Sequence, residues 1–366
     1  MLIGICGAKC AGKSTVAQYL IDHHGFKKLH IEIPKSPNGV SEEESEPDPQ
    51  TTTTSSAVSK FSALPSHLKQ IGAPSTHVFP TATALLDFVT KHWRSRWVTT
   101  DIHDEEVLDA LSRRPFFLLI SVDAPVTVRW RRWQQKTSAS SSPETTSSLE
   151  EFVSQSDAHL YSARTGVLPI MSRAAVRLLN TSTDLAHLYA TLAKLDLTDG
   201  DRLRPSWDSY FMALASLAAR RCNCMKRAVG CVLVDAVLHR VVSTGYNGTP
   251  RSLRNCGEGG CPRCNSGDAG SGAALATCLC LHAEENALLE AGRERIRPGS
   301  VLYCNTCPCL TCSIKIVQVG IGEVVYNQGY SMDGAAAEVF RSAGVKLRQF
   351  SPPPNGLIHL EKMELY

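Results

Sequence analysis

The residues best suited to chemistry lie in the C-terminal half of the chain, in two short segments. The segment "HAEEN" begins at His282, and "PCLTC" begins at Pro308. His282, Cys309 and Cys312 would fill three positions of a tetrahedral Zn²⁺ and leave the fourth for water, as in catalytic zinc sites. Glu284 would then transfer protons without binding the metal. We therefore predict a catalytic zinc site at these residues.

The spacing of these residues requires two helix starts. Cys309 and Cys312 are three residues apart, so both thiols share one face of the first turn of a helix that begins near Pro308. A helix N-terminus also favours the thiolate form of cysteine. His282 and Glu284 are two residues apart, so they converge only if His282 stands at the very start of its helix. A capping histidine and a closed structural zinc are the alternatives at this stage.

The stretch "CNTCPCLTC", residues 304–312, contains two further cysteines. Cys304 lies in the apolar run "VLYCN" and is predicted to be buried in a strand, as is Cys231 in "GCVLVD". Cys307 directly precedes a proline, which favours an extended conformation outside the helical turn. Neither Cys304 nor Cys307 is predicted to bind the catalytic metal.

Most of the remaining cysteines are in the same half. Of the 14 cysteines, only Cys6 and Cys10 precede residue 222. In a reducing compartment such clustering indicates metal ligands or reactive thiols rather than disulfides. "CPRC", residues 261–264, has the spacing of half a zinc knuckle.

An N-terminal loop has the composition of a phosphate-binding site. "GAKCAGKS" fits the pattern G-x-x-x-x-G-K-[ST] between a short apolar strand and a helix. Gly7 and Gly12 would let backbone N–H groups surround phosphates. Lys13 would neutralise the phosphates, and Ser14 would bind Mg²⁺. We predict ATP with Mg²⁺ as the ligand of this P-loop; an inherited fold element without nucleotide is the alternative.

Two α/β domains are predicted. Over residues 1–200 the apolar runs "LIGIC", "RWVTTD" and "FFLLISVDA" alternate with helical patterns, which indicates a mostly parallel sheet. Ser/Thr/Pro-rich segments at about 34–60 and 136–148 are predicted to be disordered insertions. After "LTDGDRLRP", Ser206 can cap a new helix, so a second domain is predicted over residues 201–366 with the element order αββαβαβαβ.

Composition limits the classes of partner. The net charge is +3 with 20% charged residues, which provides no basic field for a polynucleotide, so a small-molecule partner is expected. No apolar run reaches membrane-spanning length, and "MLIGICGAKC" lacks the zones of a signal peptide. We expect a cytoplasmic protein with no membrane partner, with the nucleus as an additional location.

Four segments carry a family resemblance: "STGYNGTPRSLRNC", "HAEENALLEAG", "LYCNTCPCLTC" and "EVVYNQGY". H-x-E followed by P-C-x-x-C is typical of zinc nucleobase deaminases, and the four segments together resemble the deoxycytidylate (dCMP) deaminases over nearly all of residues 206–350. The added N-terminal domain is similar to the fungal form. The resemblance implies a cytidine deaminase-like α/β/α sandwich. It also implies zinc-dependent hydrolysis of dCMP to dUMP and ammonia, which supplies dUMP for thymidylate synthesis.

The resemblance implies further site residues and partners. Asn247, Asn286 and Tyr330 are expected to contact substrate. The alternatives are that Asn247 serves a turn with Gly248 and that Tyr330 is an ordinary packing residue. Family members are homohexamers activated by dCTP and inhibited by dTTP, so a homo-oligomer with these effectors is expected. The basic residues of "MKRAVG" are candidates for contacting a triphosphate.

A second, structural zinc is also expected from the resemblance. Its ligands are expected to be Cys224, Cys256, Cys264 and Cys280, with Cys261 and Cys278 as alternates. Such a zinc would stabilise a glycine-rich loop that has little apolar core. Scattered reduced thiols are the alternative.

The N-terminal half resembles the small P-loop kinases, loosely over residues 1 to about 135. Asp101 is predicted either to hold Mg²⁺ or to cap the following helix. Arg129, Arg131 and Arg132 look like kinase lid arginines, with a solvated helix face as the alternative.

Three alternatives to dCMP deamination follow from these patterns. One is a nucleotide kinase with a regulatory zinc domain. Another is a deaminase of a different cytosine-containing substrate, including a polynucleotide. A zinc-built nucleic-acid-binding module is the third, and it predicts strongly salt-dependent binding.

Overall fold

The computed structural model describes residues 1–32, 77–140, 148–267, 277–329 and 333–360. The chain divides into two compact units, Met1–Thr198 with Pro354–Tyr366, and Asp199–Pro353. The predicted insertion at 34–60 lies outside the described residues. No helix within the described ranges is both long and apolar enough to cross a membrane.

The first unit alternates strands and helices along the chain. Its elements up to residue 195 are β1 (Leu2–Gly7), α1 (Lys13–His24), β2 (Lys27–Ile31), β3 (His77–Phe79), α2 (Ala82–Lys91), β4 (Trp97–Thr99), α3 (Glu105–Ser112), β5 (Phe117–Asp123), α4 (Val126–Ser140), α5 (Leu149–Tyr161), α6 (Leu168–Ser172), β6 (Val176–Leu179) and α7 (Leu185–Leu195). β1 is buried along its whole length, as expected for a central strand covered on both faces.

The second unit begins with a capped helix, because Ser209 donates its backbone N–H to the Ser206 hydroxyl. Its elements are α8 (Trp207–Ala219), β7 (Gly230–Asp235), β8 (Arg240–Tyr246), the short α9 (Pro262–Asn265), α10 (Ala283–Ala291), β9 (Val301–Thr306), α11 (Leu310–Gln318), β10 (Glu323–Gln328), α12 (Asp333–Ser342) and β11 (Lys346–Gln349). Apart from α9, this order confirms the predicted αββαβαβαβ.

The last described strand, β12 (Gly356–His359), belongs to the first unit. It pairs in parallel with β6, and the sheet has the order β12-β6-β5-β1-β4-β2-β3 with every pair parallel. The predicted second domain ran to residue 366, so its C-terminal boundary was wrong. A four-residue strand after "SPPPN" gives no sequence signal for the sheet it will join, because that pairing is non-local.

The predicted disordered segment 136–148 was too wide. α4 continues to Ser140, and Ser148 caps α5 by accepting the backbone N–H of Glu151 at 3.1 Å. Serine is frequent in loops and also at helix N-caps, so its abundance alone did not distinguish the two. Residues 141–147 lie outside the described part of the chain.

The sheet of the second unit is mixed and covered on both faces. Its order is β11-β10-β9-β7-β8, with β7 antiparallel to both neighbours and β9, β10 and β11 parallel. Alternate residues of β7 point to opposite faces. Leu233 packs with Ala287 of α10 and Phe340 of α12, whereas Val232 packs with Phe211 of α8. These two apolar clusters form the predicted α/β/α sandwich.

A close approach of α10 to β8 depends on Gly245. A Cβ atom there would lie 2.0 Å from the carbonyl oxygen of Ala283 and 2.5 Å from the backbone nitrogen of Ala287. Beside it, the Ser243 hydroxyl donates to the carbonyl of Ala287 at 2.7 Å. Because both neighbours are backbone atoms, a larger residue would force α10 away from the sheet.

We expect Gly245→Ala to lower the free energy of unfolding by about 1–3 kcal/mol because of this overpacking. Thermal and urea denaturation of the full chain would measure the change. Gly334→Ala in α12 is the matched control, since no heavy atom lies within 4 Å of its added Cβ, and it should be neutral or slightly stabilising. Equal stabilities of the two variants would contradict the proposed contact.

Candidate metal centre

The structure brings the side chains of His282, Cys309 and Cys312 together. The Nδ1 atom of His282 lies 3.3 Å from each of the two sulfurs, and the three donor atoms all lie within 4.8 Å of one another. In a tetrahedral zinc site an N···S edge is about 3.6 Å, from Zn–N and Zn–S bonds of about 2.1 and 2.3 Å. The donor set and its spacing therefore fit a zinc ion with one open position.

His282 stands at the N-cap of α10 in an extended conformation, with φ −77° and ψ 158°. Its backbone N–H donates to the carboxylate of Glu285 at 2.9 Å, which satisfies one donor of the helix start. Because the helix becomes regular only after His282, the imidazole and the Glu284 side chain can face the same space. The N-cap is the position that the two-residue spacing of His282 and Glu284 requires for the imidazole.

The two thiols lie at the start of α11. Cys309 is its N-cap, with φ −74° and ψ 167°, and Cys312 is its third residue. Lys315 of α11 forms an ion pair with Glu285 of α10. Glu285 therefore contacts both helices whose first turns carry the metal ligands. It acts as a positioning residue that sequence reasoning did not single out.

Glu284 is the second residue of α10 and is only 4% exposed. Burial raises its pKa to about 6, although the nearby His282 acts in the opposite direction. A carboxyl with a pKa close to neutral can accept a proton and return it during one turnover. Glu284 therefore has the environment of a general acid and base.

The two site thiols are electrostatically coupled. A hydrogen bond from Cys312 lowers the pKa of Cys309, and the same contact together with burial raises the pKa of Cys312. Without a cation, two thiolates this close would repel each other, so Cys309 carries the negative charge while Cys312 keeps its proton. A divalent cation would stabilise both thiolates.

One cavity is lined by His282, Glu284 and Cys309 of this site. It is lined by Cys224, Lys226, Arg227, Val229, Asn247, Arg263, Cys278, Cys280, His282, Ala283, Glu284, Thr306, Cys307 and Cys309. His282, Cys309 and Glu284 thus share a space that also has basic walls. Cys307 lines the cavity but is not part of the ligand group.

The three predicted substrate residues have different surroundings. Asn247 lines the cavity, and its side chain accepts from the N–H of Val229 at 2.9 Å and donates to the carbonyl of Arg227 at 2.6 Å. Asn286 is not among the cavity residues and donates to the carbonyl of Tyr246 at 2.6 Å. Tyr330 lies outside the described residues.

Sequence reasoning missed most of the basic wall of this cavity. Lys226 and Arg227 were singled out only as candidates for contacting an effector, and Arg263 was not singled out at all; all three line the cavity. The available signals were weak: a basic pair after "CNCM" and an arginine inside "CPRC". Their convergence depends on the fold of the cysteine-rich segment.

The predicted second set of cysteines is also brought together. Two groups of four have sulfurs mutually within 4.8 Å: Cys224, Cys256, Cys264 and Cys280, and Cys261, Cys264, Cys278 and Cys280. The predicted ligands and their alternates therefore occupy one cluster. Cys231 and Cys304, in contrast, are fully buried on β7 and β9, directly opposite each other.

The loop at residues 7–14 connects β1 to α1. Gly12 has φ 105°, a left-handed value that favours glycine, and it immediately precedes Lys13 at the start of α1. A second cavity is lined by Gly12, Lys13, Ser14 and Thr15, and also by Asp184. Gly7 ends β1. The loop thus has the strand-to-helix context that the P-loop pattern requires.

Two details of the first unit differ from the kinase resemblance. Arg129 is buried and donates to the carbonyl of Ala124 and the hydroxyl of Ser156. Arg132 donates to backbone carbonyls of Cys10, Ala11, Asn180 and Ser182. Arg129 therefore stabilises the local fold, whereas Arg132 both bonds the backbone and lines the cavity beside Gly12 and Lys13. Of the three arginines, Arg131 is exposed.

Asp101 does not cap α3, because Asp104 accepts the N–H of Val107 at 2.7 Å and serves as the N-cap. Asp101 instead bonds the imidazole of His30 at 2.9 Å and the N–H of Ile31 at 3.1 Å. Burial raises its pKa, but these hydrogen bonds outweigh burial and hold the pKa below its usual value. Asp101 therefore joins β2 to the end of β4.

Comparisons with known proteins agree on one family. The model of the cytidine and deoxycytidylate deaminase zinc-binding region matches residues 205–328. Deoxycytidylate deaminase of Mycobacterium phage D29 is 43% identical over 129 residues, 34% of this chain and 95% of the phage protein.

Two fungal proteins match nearly the whole chain. Deoxycytidylate deaminase of Saccharomyces cerevisiae is 41% identical over 362 residues, 96% of this chain and 97% of that protein. Deoxycytidylate deaminase of Schizosaccharomyces pombe is 44% identical over 355 residues, 97% of this chain and 99% of that protein. The identity extends over nearly the whole chain, and the structure brings His282, Cys309 and Cys312 together. This chain therefore belongs to the deoxycytidylate deaminase family.

Proposed function

We propose that this protein hydrolyses dCMP to dUMP and ammonia as a zinc-dependent deaminase. One observation carries the proposal: a buried carboxyl and three zinc-type ligands share a cavity with basic walls, in a chain of the deoxycytidylate deaminase family. The product dUMP is the substrate of thymidylate synthesis, as the family resemblance implies.

The roles of the residues follow from their positions. His282, Cys309 and Cys312 would hold the zinc, which when bound acts as a Lewis acid that lowers the pKa of water to about 7. Glu284 accepts one proton of the attacking water and donates it to N3 of cytosine. It then takes the second proton from the hydroxyl formed at C4 and donates it to the departing amino group, so that the C4 carbonyl forms. One water is consumed at C4, and ammonia leaves.

The cavity walls account for a nucleotide rather than a nucleoside as substrate. Lys226, Arg227 and Arg263 line the same cavity as Glu284, so a substrate with its base at Glu284 would meet cations with its phosphate. Asn247 holds the 227–229 segment by two backbone hydrogen bonds. Its role is thus to position this wall, in addition to any contact with substrate.

We also propose that the loop at residues 7–14 binds the phosphates of ATP with Mg²⁺. The left-handed Gly12, the helix start at Lys13 and the adjoining cavity support this. The kinase alternative would require ADP formation at this loop. The burial of Arg129 weighs against it, because this arginine bonds Ser156 and is not a cavity residue.

A structural zinc at the second cysteine cluster is part of the proposal, supported by the convergence of its sulfurs. The homohexamer, the dCTP and dTTP effectors and the cytoplasmic or nuclear location stay predictions. Turnover of CMP, deoxycytidine or single-stranded DNA instead of dCMP would indicate a different cytosine-containing substrate.

We expect Glu284→Gln to lower kcat for dCMP by about 10²- to 10⁴-fold, since the amide cannot transfer the proton. Loss of cytosine absorbance would be followed with dCMP, CMP, deoxycytidine and single-stranded DNA. Glu290→Gln, on the exposed side of the same helix, is the matched control. No turnover of any substrate by the zinc-loaded unaltered protein would contradict the proposed function.

Lys226→Met and Arg227→Met should each reduce the preference for dCMP over deoxycytidine about 10- to 100-fold, because a charge-assisted hydrogen bond contributes about 1.5–3 kcal/mol. The ratio of kcat/KM for the two substrates would be measured. Arg251→Met, whose side chain is 93% exposed outside the cavity, should leave it unchanged. An unaltered ratio in both cavity variants would exclude a phosphate contact there.

Lys13→Ala should weaken binding of ATP with Mg²⁺ at least about tenfold, because it removes the cation of the phosphate loop. Calorimetric titration of the full chain would measure this, and an ADP assay would test the kinase alternative. Lys91→Ala at the end of α2 is the control. Absence of ATP binding to the unaltered protein would mean that the loop is only an inherited fold element.

A further inference from the structure

Six cysteines of the second unit form one continuous cluster, apart from the ligand group of His282. They are Cys224, Cys256, Cys261, Cys264, Cys278 and Cys280. The two tetrahedral groups within the cluster overlap, because Cys264 and Cys280 belong to both. A single zinc would use one group and leave two sulfurs of the other group beside it without a metal.

We propose that this cluster holds two zinc ions, with Cys264 and Cys280 as bridging thiolates. One ion takes Cys224 and Cys256 as its terminal ligands, and the other takes Cys261 and Cys278. Each ion then has four sulfur ligands, the number and type that closed structural zinc sites use. This goes beyond the single structural zinc proposed above and does not depend on the deaminase activity.

The sulfur spacings support shared coordination. For a Zn–S bond of about 2.3 Å, the edge of a tetrahedron of sulfurs is about 3.8 Å. The Cys264 sulfur lies 3.8 Å from that of Cys224 in one group and 3.6 Å from that of Cys278 in the other. It also lies 4.0 Å from the other shared sulfur, Cys280. Cys264 is thus at edge distance from members of both groups, as a bridging ligand must be.

Disulfides do not explain the cluster. A disulfide bond is about 2.05 Å long, whereas the sulfurs of Cys261 and Cys278 are 3.8 Å apart. All six residues are free cysteines. The separations therefore correspond to sulfurs arranged around metal ions.

Hydrogen-bond donors surround the sulfurs, as expected for metal thiolates. Backbone N–H groups of Met225 and Leu279 donate to Cys256 and Cys261, each at 3.4 Å. The Arg263 guanidinium lies 3.9 Å from the sulfurs of both Cys264 and Cys278. Because six thiolates exceed the charge of two Zn²⁺ ions, a nearby arginine would balance part of the remaining negative charge.

The cluster would hold the segment that forms one wall of the catalytic cavity. Among the described residues, the buried cluster at this place consists of cysteines, so metal bonds rather than hydrophobic packing would supply its stability. Cys224, Cys278 and Cys280 line the cavity, and Cys280 is two residues before His282. Two ions would therefore fix the basic wall relative to Glu284.

The zinc content of the purified full-length protein tests the proposal. Elemental analysis should find about three zinc ions per chain, because four sulfurs bind each cluster ion and one more ion belongs to His282. About two per chain would overturn the proposal in favour of a single structural zinc. This result is independent of turnover, so loss of activity and loss of the cluster can be distinguished.

X-ray absorption of the unaltered protein avoids any folding defect of variants. Two regular tetrahedra that share an edge place their metals about 2.7 Å apart for Zn–S bonds of about 2.3 Å, and about 3 Å apart when the shared edge shortens to about 3.5 Å. We expect a metal–metal scattering shell at about 2.7–3 Å. Its absence would exclude bridging thiolates even if three ions were present.

Serine variants then assign the ligands. Cys256→Ser and Cys261→Ser should each lose about one zinc per chain, whereas Cys264→Ser should lose about two, because it belongs to both tetrahedra. Cys10→Ser, in the other unit, is the control and should retain all of them. A full zinc complement in Cys261→Ser with a loss in Cys256→Ser would indicate one ion only.

Discussion

The geometry of the candidate metal centre depends on the meeting of two helix N-termini, those of α10 and α11. Each helix contributes its N-cap residue, His282 or Cys309, to the same point. The Glu285–Lys315 ion pair joins the two helices beside that point. Both helix dipoles present their positive ends there and favour negative charge, and the pKa of Cys309 is lowered. Burial acts in the opposite direction and raises the pKa of Glu284 and of Cys312. The proposed zinc ligands and the proposed proton-transfer group are thus held at the starts of regular helices.

Different interactions stabilise the sheet and the cysteine-rich segment, namely apolar packing in the sheet and a cysteine cluster in the segment. On the sheet side, α10 approaches β8 because Gly245 has no side chain, and an apolar core packs behind it. In the cysteine-rich segment, the described residues 256–267 and 277–280 form short helices and pack through a cluster of cysteine side chains. This difference suggests that metal supply affects the basic wall more than the sheet, because packing holds the sheet without metal.

Much of the second unit was predictable because its signals are local. Helical and strand periodicities are read over a few residues, so the order αββαβαβαβ was correct. The cavity residues Lys226 and Arg263 were not predictable in their role, since they meet only after a non-local fold. For the same reason the sequence pattern around Arg129 and Arg132 suggested a lid. In the structure both guanidinium groups donate hydrogen bonds to carbonyl or hydroxyl oxygens.

By itself the sequence determined the chemistry of the site: an imidazole, two thiolates three residues apart and a nearby carboxyl permit few metals and few reactions. It also determined the strand-to-helix context of the loop at residues 7–14. Only the tertiary structure decided which sheet receives β12, which cysteines share neighbours, and which cations line the cavity. Those features depend on distances between residues far apart in the chain, and no local pattern encodes such distances.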